Sequence, residues 1–211
     1  IFLFLTVIIR SFYLDNVNDK YYYFLLPFGI LALSFIGKPN VGMKSFKKII
    51  IISLLLPIRR IFFFLVNPTL LFFTKYFTWF VLFCLGQEPN LIDRSIFVGE
   101  SELIISKGCG GADNLYFAIC ALIIFKIIFS LKNYINLIII YIITFLVPFL
   151  TNVLRNTLLA LIITLNINIR DKMFNFFHDS YGSLLFNFIS LFLISYFYFK
   201  LLNKELDLNN N

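Results

Sequence analysis

The chain has 211 residues, of which 60% are hydrophobic and 14% are charged, and its mean hydropathy is +0.90. Soluble domains keep about a quarter of their residues charged, so this composition excludes an ordinary cytosolic globule, a disordered chain and a disulfide-stapled secreted module. The formal net charge is +7, but the basic residues stand singly or in pairs between apolar runs. We therefore exclude a nucleic-acid surface, interpret these residues as membrane topology signals, and predict a multi-pass α-helical membrane protein.

The N-terminal half contains three apolar segments. The chain begins at Ile1 in a stretch that ends at Ile9, too short to cross about 30 Å of hydrocarbon, so we expect either a truncated first helix or an unusual start codon. A span is predicted over residues 21–36, and the lysines that follow it (Lys44, Lys47 and Lys48) indicate the cytoplasmic side. Residues 49–86 are interrupted by prolines and arginines, and are compatible with one span plus interfacial helices or with two bent spans.

The C-terminal half begins with a polar segment, residues 87–111, which we expect to lie outside the membrane and to contain a short strand pair over residues 95–106. The apolar segments that follow are residues 115–131, 134–150, 157–169 and 183–202, and the polar tail 203–211 is expected to fray. The predicted architecture is a single all-α membrane domain over residues 1–211, a bundle of about 6–8 transmembrane helices with the strand pair ahead of Cys109.

The distribution of lysines predicts the sidedness of this bundle. Lys132 lies in the tight turn between two spans, and this indicates that the turn is cytoplasmic. The regions around Arg155 and His178 then share the outer side, provided that the piece 157–169 does not cross. As a helix this piece would be only about 20 Å long, so we expect it to be half-buried or re-entrant.

Cys109 is the candidate nucleophile. Cys84 and Cys120 lie within apolar runs, where a thiol behaves as a small hydrophobe. Cys109 instead lies in Lys107-Gly108-Cys109-Gly110-Gly111, where the glycines allow a sharp turn, and the following helix N-terminus together with Lys107 would favour a thiolate. A plain glycine turn that contains a cysteine is the alternative interpretation. No metal site is predicted, because no second cysteine or histidine stands at ligand spacing.

His178 and Arg155 are the other candidate catalytic residues. His178 is the only histidine, and histidine can relay a proton at neutral pH, although an ordinary interfacial residue is the alternative. Arg155 lies between two apolar stretches, where an arginine costs about 2.5 kcal/mol or more unless it snorkels or is paired. Arg59 and Arg60 interrupt an apolar run similarly and cannot be ranked far below Arg155. No cofactor is predicted, because neither a Walker loop nor a dinucleotide fingerprint is present.

Together these sites resemble the exosortase and archaeosortase family of integral-membrane, cysteine transpeptidase-like enzymes. Residues 108–111 resemble the family's Cys-Ser-Gly box, residues 152–155 its Asn-x-x-Arg box, and His178-Asp179 with Gly182 its terminal histidine box. The resemblance covers about residues 67–198 and is closest to the exosortase K branch. Gly110 departs from the family, which has a serine there, and a hydroxyl that holds substrate or oxyanion would be missing.

The resemblance implies cleavage of exported proteins at a C-terminal signal of the PEP-CTERM type. Cys109 would attack the scissile carbonyl to form a thioester, His178 would protonate the leaving amine and later activate the acceptor, and Arg155 would donate to the oxyanion. The expected partners are exported proteins that carry the signal, membrane lipid, and a surface glycan or lipid as acceptor unless water takes that role. The expected location is the bacterial cytoplasmic (inner) membrane, with the active site on the extracytoplasmic face.

Three other classes of function are weighed against this one. A transporter or channel subunit would carry polar residues within several spans, and the predicted spans carry few besides Lys126. A membrane acyltransferase would pair His178 with an acidic residue or a second histidine, which the sequence does not show. A non-catalytic assembly subunit would leave Cys109 dispensable.

Overall fold

The structure is a computed structural model that describes residues 22–35, 39–165, 168–179 and 181–210. Its helices are α1 (Tyr22–Phe35), α2 (Pro39–Cys84), α3 (Ala112–Ile128), α4 (Tyr134–Ile163), α5 (Arg170–Asp179) and α6 (Tyr181–Asn210). Its strands are β1 (Pro89–Ile92), β2 (Ser95–Val98) and β3 (Ser101–Ile104), and a 3₁₀ turn covers Lys107–Gly110. The stretch from Ile1 to Ile9, on which the truncated first helix was predicted, lies outside the described residues.

Three of the described helical segments are long and apolar enough to cross a membrane: Phe46–Cys84 in α2, Tyr134–Ile163, and Tyr181–Asp207 in α6. Helix α3 has 17 residues, which at 1.5 Å per residue gives about 25 Å, slightly less than the hydrocarbon thickness. The prediction of a helical membrane protein is therefore confirmed. The predicted count of 6–8 spans is not confirmed.

The chain divides into two compact units, Ile1–Ile61 and Phe62–Asn211. The first contains α1 and the beginning of α2, and the second contains all the remaining described elements. The segment 49–86 was compatible with one or two spans, and its residues 49–84 belong to the single 46-residue helix α2. A continuous helix crosses a bilayer once at most, so the two-span alternative is not what the structure shows.

In the second unit, α3, α4 and α6 pack against one another. A buried polar seam joins all three: the Asn114 side-chain amide donates to Thr151 Oγ1 and to Ser190 Oγ, each at 3.2 Å, and the two hydroxyl oxygens are 2.6 Å apart. Hydrogen bonds of this kind contribute to helix association in lipid, where the hydrophobic effect between helices is weak.

Helix α4 corrects one prediction. Residues 134–150 and the start of 157–169 form one 30-residue helix, so the half-buried or re-entrant piece does not exist as a separate element. The intervening polar residues did not break the helix because they are buried and bonded: Asn152 and Asn156 are 3% and 0% exposed, and Arg155 is 7% exposed. The shared side predicted for Arg155 and His178 nevertheless agrees with the structure, since their regions are in contact.

The polar tail, residues 203–211, corrects a second prediction. Helix α6 continues to Asn210, so residues 203–210 are helical and not frayed. Glu205 is 8% exposed, and its carboxylate accepts hydrogen bonds from Lys132 N at 2.8 Å, Asn133 N at 3.1 Å and Asn136 Nδ2 at 2.8 Å. An acidic side chain stabilises the N-terminus of a helix by satisfying its free N–H groups, so Glu205 connects α6 to the beginning of α4.

The predicted strand pair is a three-stranded antiparallel sheet in the order β1-β2-β3. β1 lay outside the predicted pair because it begins with Pro89 and Asn90, which are poor strand formers tolerated at an edge. The inward side chains of Ile96, Val98 and Leu103 are 0–4% exposed and belong to one buried apolar cluster with Cys109 and residues of α2 and α4. The sheet therefore supports the loop that carries the cysteine.

Candidate active site

Cys109 lies in the short connection between the sheet and α3. The chain leaves β3 at Ile104, makes the 3₁₀ turn Lys107–Gly110, and reverses at Gly111, whose φ of +80° is in the left-handed region. Cys109 N donates to the Ser106 carbonyl at 2.9 Å, and the cysteine is 1% exposed. The thiol-bearing residue thus stands close to the N-terminus of α3, where the helix dipole favours negative charge.

Two asparagines of α4 hold the Cys109 backbone. Asn152 Nδ2 donates to the Cys109 carbonyl oxygen at 2.8 Å, and Asn156 Nδ2 donates to the same oxygen at 2.9 Å. Asn152 lies in the segment that resembles the Asn-x-x-Arg box, but Asn156 was not singled out from the sequence. The i, i+4 spacing of the two asparagines, which places them on one face of a helix, is the signal that could have found it.

His178 lies in the last turn of α5, and its Nε2 is 3.9 Å from Cys109 Sγ. The imidazole is half-buried and stacks on the Phe174 ring, with the centroids 5.2 Å apart and an interplanar angle of 14°. Phe174 precedes His178 by one helical turn, so α5 itself supplies the surface that orients the imidazole. Catalytic hydrogen bonds are often long before substrate binds, and 3.9 Å between nitrogen and sulfur is compatible with proton transfer after a small closure.

Arg155 is buried, and it binds the end of α5. Its Nε donates to the Phe177 carbonyl at 3.1 Å and its Nη2 donates to the His178 carbonyl at 2.7 Å. The last carbonyls of a helix lack partners within the helix, and a planar guanidinium can bond two of them at once. These two donors are directed at the backbone that carries the imidazole, whereas the predicted oxyanion role would direct them at the substrate.

Gly110 lies against α2. A Cβ at this position would be 2.5 Å from Asn67 Oδ1 and 3.4 Å from Leu71 Cγ. Asn67 is 4% exposed and its Oδ1 has no hydrogen-bond partner, while Thr74 Oγ1 donates to the Gly110 carbonyl at 3.2 Å. The close approach of Asn67 gives a physical reason for glycine at the position where the resemblance led us to expect serine. Nothing in the sequence signalled this contact, because it joins residues far apart in the chain.

The other sequence candidates are residues of helices α2 and α3. Arg59 and Arg60 are exposed on the part of α2 that belongs to the first compact unit. Lys126, whose partner was not evident from sequence, donates to Tyr141 OH at 2.7 Å. Cys84 is exposed at the end of α2 and Cys120 is partly buried in α3. Within the part of the chain that the structure describes, no three His, Cys, Asp or Glu side chains could hold a metal ion.

A helical membrane bundle with a buried cysteine, a histidine and an arginine gathered near one end defines a membrane protein with a cysteine-centred site. Residues 1–195 match the family described as transmembrane exosortase (EpsH), and since the match covers most of the 211 residues, the chain belongs to that family. The match supports a membrane exosortase-like protein, and membership of this family indicates a cysteine transpeptidase-like enzyme. The assignment to the K branch is not confirmed. No curated protein and no solved structure matches the chain.

Proposed function

We propose that the chain is a membrane-embedded cysteine peptidase and transpeptidase that cleaves C-terminal sorting signals of the PEP-CTERM type from exported proteins. The observation that carries the proposal is the 3.9 Å separation between Cys109 Sγ and His178 Nε2, contributed by residues 69 positions apart. A thiol within reach of an imidazole is the arrangement required for nucleophilic catalysis at a carbonyl carbon. Membership of the transmembrane exosortase family supports this assignment.

In the first half of the reaction, His178 Nε2 accepts the thiol proton and Cys109 Sγ attacks the scissile carbonyl carbon. The S–C bond forms as the carbonyl electron pair moves to oxygen, and the tetrahedral intermediate then collapses as the C–N bond breaks. His178 returns its proton to the leaving amine, and a thioester remains on Cys109. The nearby N-terminus of α3 stabilises negative charge at this position.

In the second half, His178 removes a proton from the acceptor, whose nucleophilic atom attacks the thioester carbonyl. The C–S bond breaks, the departing Cys109 thiolate takes the proton back from His178, and the product leaves either joined to the acceptor or as a free acid if water is the acceptor. A hydroxyl of a surface glycan or an amine of a lipid headgroup would each react by this step. General acid–base assistance of this kind contributes about 10²–10⁴-fold to the rate.

Arg155, Asn152 and Asn156 act in this scheme by positioning. Arg155 holds the carbonyls that end α5 and thereby the backbone of His178, and the two asparagines hold the Cys109 carbonyl. All three belong to α4, so one rigid helix sets the distance between nucleophile and base. Catalytic geometry must be held within fractions of an ångström, which makes such a common support valuable.

The expected location is the bacterial cytoplasmic membrane, with the site on the extracytoplasmic face. Lys132 and Lys204 mark the opposite end of the bundle, because Glu205, next to Lys204, accepts from the Lys132 backbone. From there α4 extends about 30 Å to Arg155. Lysines gathered at the end remote from the cysteine support a cytoplasmic assignment for that end by the positive-inside rule.

Processing of a client that ends in a PEP-CTERM-type signal, followed by its size shift on a gel, tests the proposal. Cys109→Ala and His178→Ala should abolish processing, and Arg155→Ala should reduce it by about 10²-fold, the cost of misplacing a catalytic group. Cys84→Ala is the matched control, since Cys84 is an exposed thiol outside the site. All variants are compared at equal membrane levels. Unchanged processing by Cys109→Ala would instead support a non-catalytic assembly role.

A further inference from the structure

Ser106 places a hydroxyl beside the nucleophile that the scheme above does not use. Its Oγ is 3.6 Å from Cys109 Sγ, which is closer than the His178 Nε2 at 3.9 Å. Ser106 is exposed whereas Cys109 is 1% exposed, so an approaching substrate can reach the hydroxyl. The thiol therefore has two polar neighbours, one from α5 and one from its own loop.

The hydroxyl is not engaged in capping. Ser106 occupies the N-cap position of the 3₁₀ turn Lys107–Gly110, where a serine side chain ordinarily accepts from a backbone N–H. Here it makes no such bond, and the Ser106 carbonyl accepts only the first backbone bond of the turn itself, from Cys109 N at 2.9 Å. The backbone of Ser106 is extended (φ −77°, ψ 172°), and its Oγ lies next to Sγ instead.

The position that follows the cysteine cannot supply such a group in this packing. A Cβ at Gly110 would lie 2.5 Å from the buried Asn67 Oδ1. On its other side Cys109 belongs to the apolar cluster that includes Leu82 and Leu159. A thiolate bordered by apolar side chains needs hydrogen-bond donors to offset its desolvation.

We propose that Ser106 is a further catalytic residue whose hydroxyl donates a hydrogen bond to the Cys109 thiolate, a role that rests on the proposed function. When the thiol proton passes to His178 Nε2, the Ser106 O–H donates to the new lone pair on Sγ and directs it towards the exposed side of the loop. As the S–C bond forms, that lone pair is used and the hydrogen bond is released. The serine hydroxyl keeps its own proton throughout.

Alkylation of Cys109 by a small reagent, iodoacetamide, tests this donor without any client. The chain purified in lipid nanodiscs carries Cys84→Ala and Cys120→Ala, so that Cys109 is its only thiol. Ser106→Ala should lower the alkylation rate at neutral pH by about tenfold, which corresponds to one hydrogen bond to a charged group. Ser106→Thr, which keeps a hydroxyl, should retain the parent rate.

A pH profile separates this role from a structural one. The charged or titratable groups carried by the elements around the thiol include Lys107 in the loop, His178 on α5, Arg155 on α4 and Asp113 in the first turn of α3, and Ser106→Ala leaves all of them in place. The rate difference should therefore vanish at alkaline pH, where the thiol is ionised with or without the donor. A merely structural defect would persist there.

Client processing provides the second measurement. Ser106→Ala should reduce processing by at least the factor seen in alkylation, and Ser106→Thr should restore it. Equal alkylation rates for Ser106→Ala and the parent at neutral pH would overturn the Ser106 proposal, whether or not clients are processed. If the parent processes no client, the proposed function fails, and the alkylation comparison still decides the role of Ser106.

Discussion

Replacing Gly111 by alanine is the substitution for which the structure makes its sharpest prediction. Gly111 has φ +80°, a left-handed conformation that costs a residue with a Cβ about 1–2 kcal/mol. The added Cβ would also lie 2.6 Å from Asn152 Nδ2 and 2.7 Å from its Cγ. Asn152 must then move and give up its 2.8 Å hydrogen bond to the Cys109 carbonyl, which is worth about 1 kcal/mol.

These two terms add to a loss of about 2–3 kcal/mol in the free energy of unfolding. Gly111→Ala should also lower the rate of client processing by about 10²-fold, because the displaced hydrogen bond holds the nucleophile and a misplacement of about 1 Å has a cost of that size. Denaturant unfolding in mild detergent measures the first quantity. Client processing measures the second.

Gly108 offers the matched control in the same loop. A Cβ there would have Ser106 Oγ at 3.9 Å as its nearest neighbour, an ordinary van der Waals distance, and Gly108 does not have a left-handed φ. Gly108→Ala should change the free energy of unfolding by less than about 0.5 kcal/mol. Equal effects of Gly108→Ala and Gly111→Ala would refute the assignment of Gly111 and Asn152 as the support of the cysteine.

Three further substitutions probe the remaining contacts. Glu205→Ala leaves three N–H donors without their acceptor and should lower the free energy of unfolding by about 2–3 kcal/mol in the same detergent assay. An unchanged free energy of unfolding would show that the tail is not held by this carboxylate. Gly110→Ser should reduce client processing by displacing the Asn67 amide, and Asn67→Ala in the same chain should restore it. If the losses of processing caused by the two substitutions simply add in the double variant, the steric explanation is contradicted. Arg155→Lys should reduce processing nearly as much as Arg155→Ala, because an ammonium cannot reproduce the paired bonds to two carbonyls. Full activity of the lysine variant on the same client would count against the positioning of His178 by Arg155.

The three candidate residues could be singled out from sequence because they stand at boundaries between apolar and polar segments, whereas their assignment to one site came from the family resemblance. The lone histidine, the arginine at a span end and the cysteine among glycines each interrupt a pattern that apolar spans would otherwise continue. The position of Lys132 then indicated, by the positive-inside rule, that Arg155 and His178 share a side provided that residues 157–169 do not cross. Their contact through the His178 carbonyl agrees with that expectation.

The features of the fold and of the site that the sequence did not predict depend on tertiary contacts, which a linear hydropathy pattern does not contain. Buried asparagines made α4 look interrupted, although the Nδ2 groups of Asn152 and Asn156 both donate to the Cys109 carbonyl across the bundle. The polar tail looked frayed because the acceptor role of Glu205 is defined only by the start of α4, about 70 positions earlier. Likewise, the approach of Asn67 to Gly110 and the side-chain direction of Ser106 follow from packing and loop geometry, which hydropathy does not encode.

Trapping of an acyl-enzyme provides the most direct test of Cys109 as the nucleophile. The purified chain is incubated with a client that ends in a PEP-CTERM-type signal and quenched with acid, and the products are analysed by mass spectrometry. We expect a covalent adduct of the client's N-terminal fragment on Cys109 that hydroxylamine releases, that forms in Cys84→Ala, and that is absent in Cys109→Ala. Processing of the client with no adduct on Cys109, or an adduct that persists in Cys109→Ala, would contradict it.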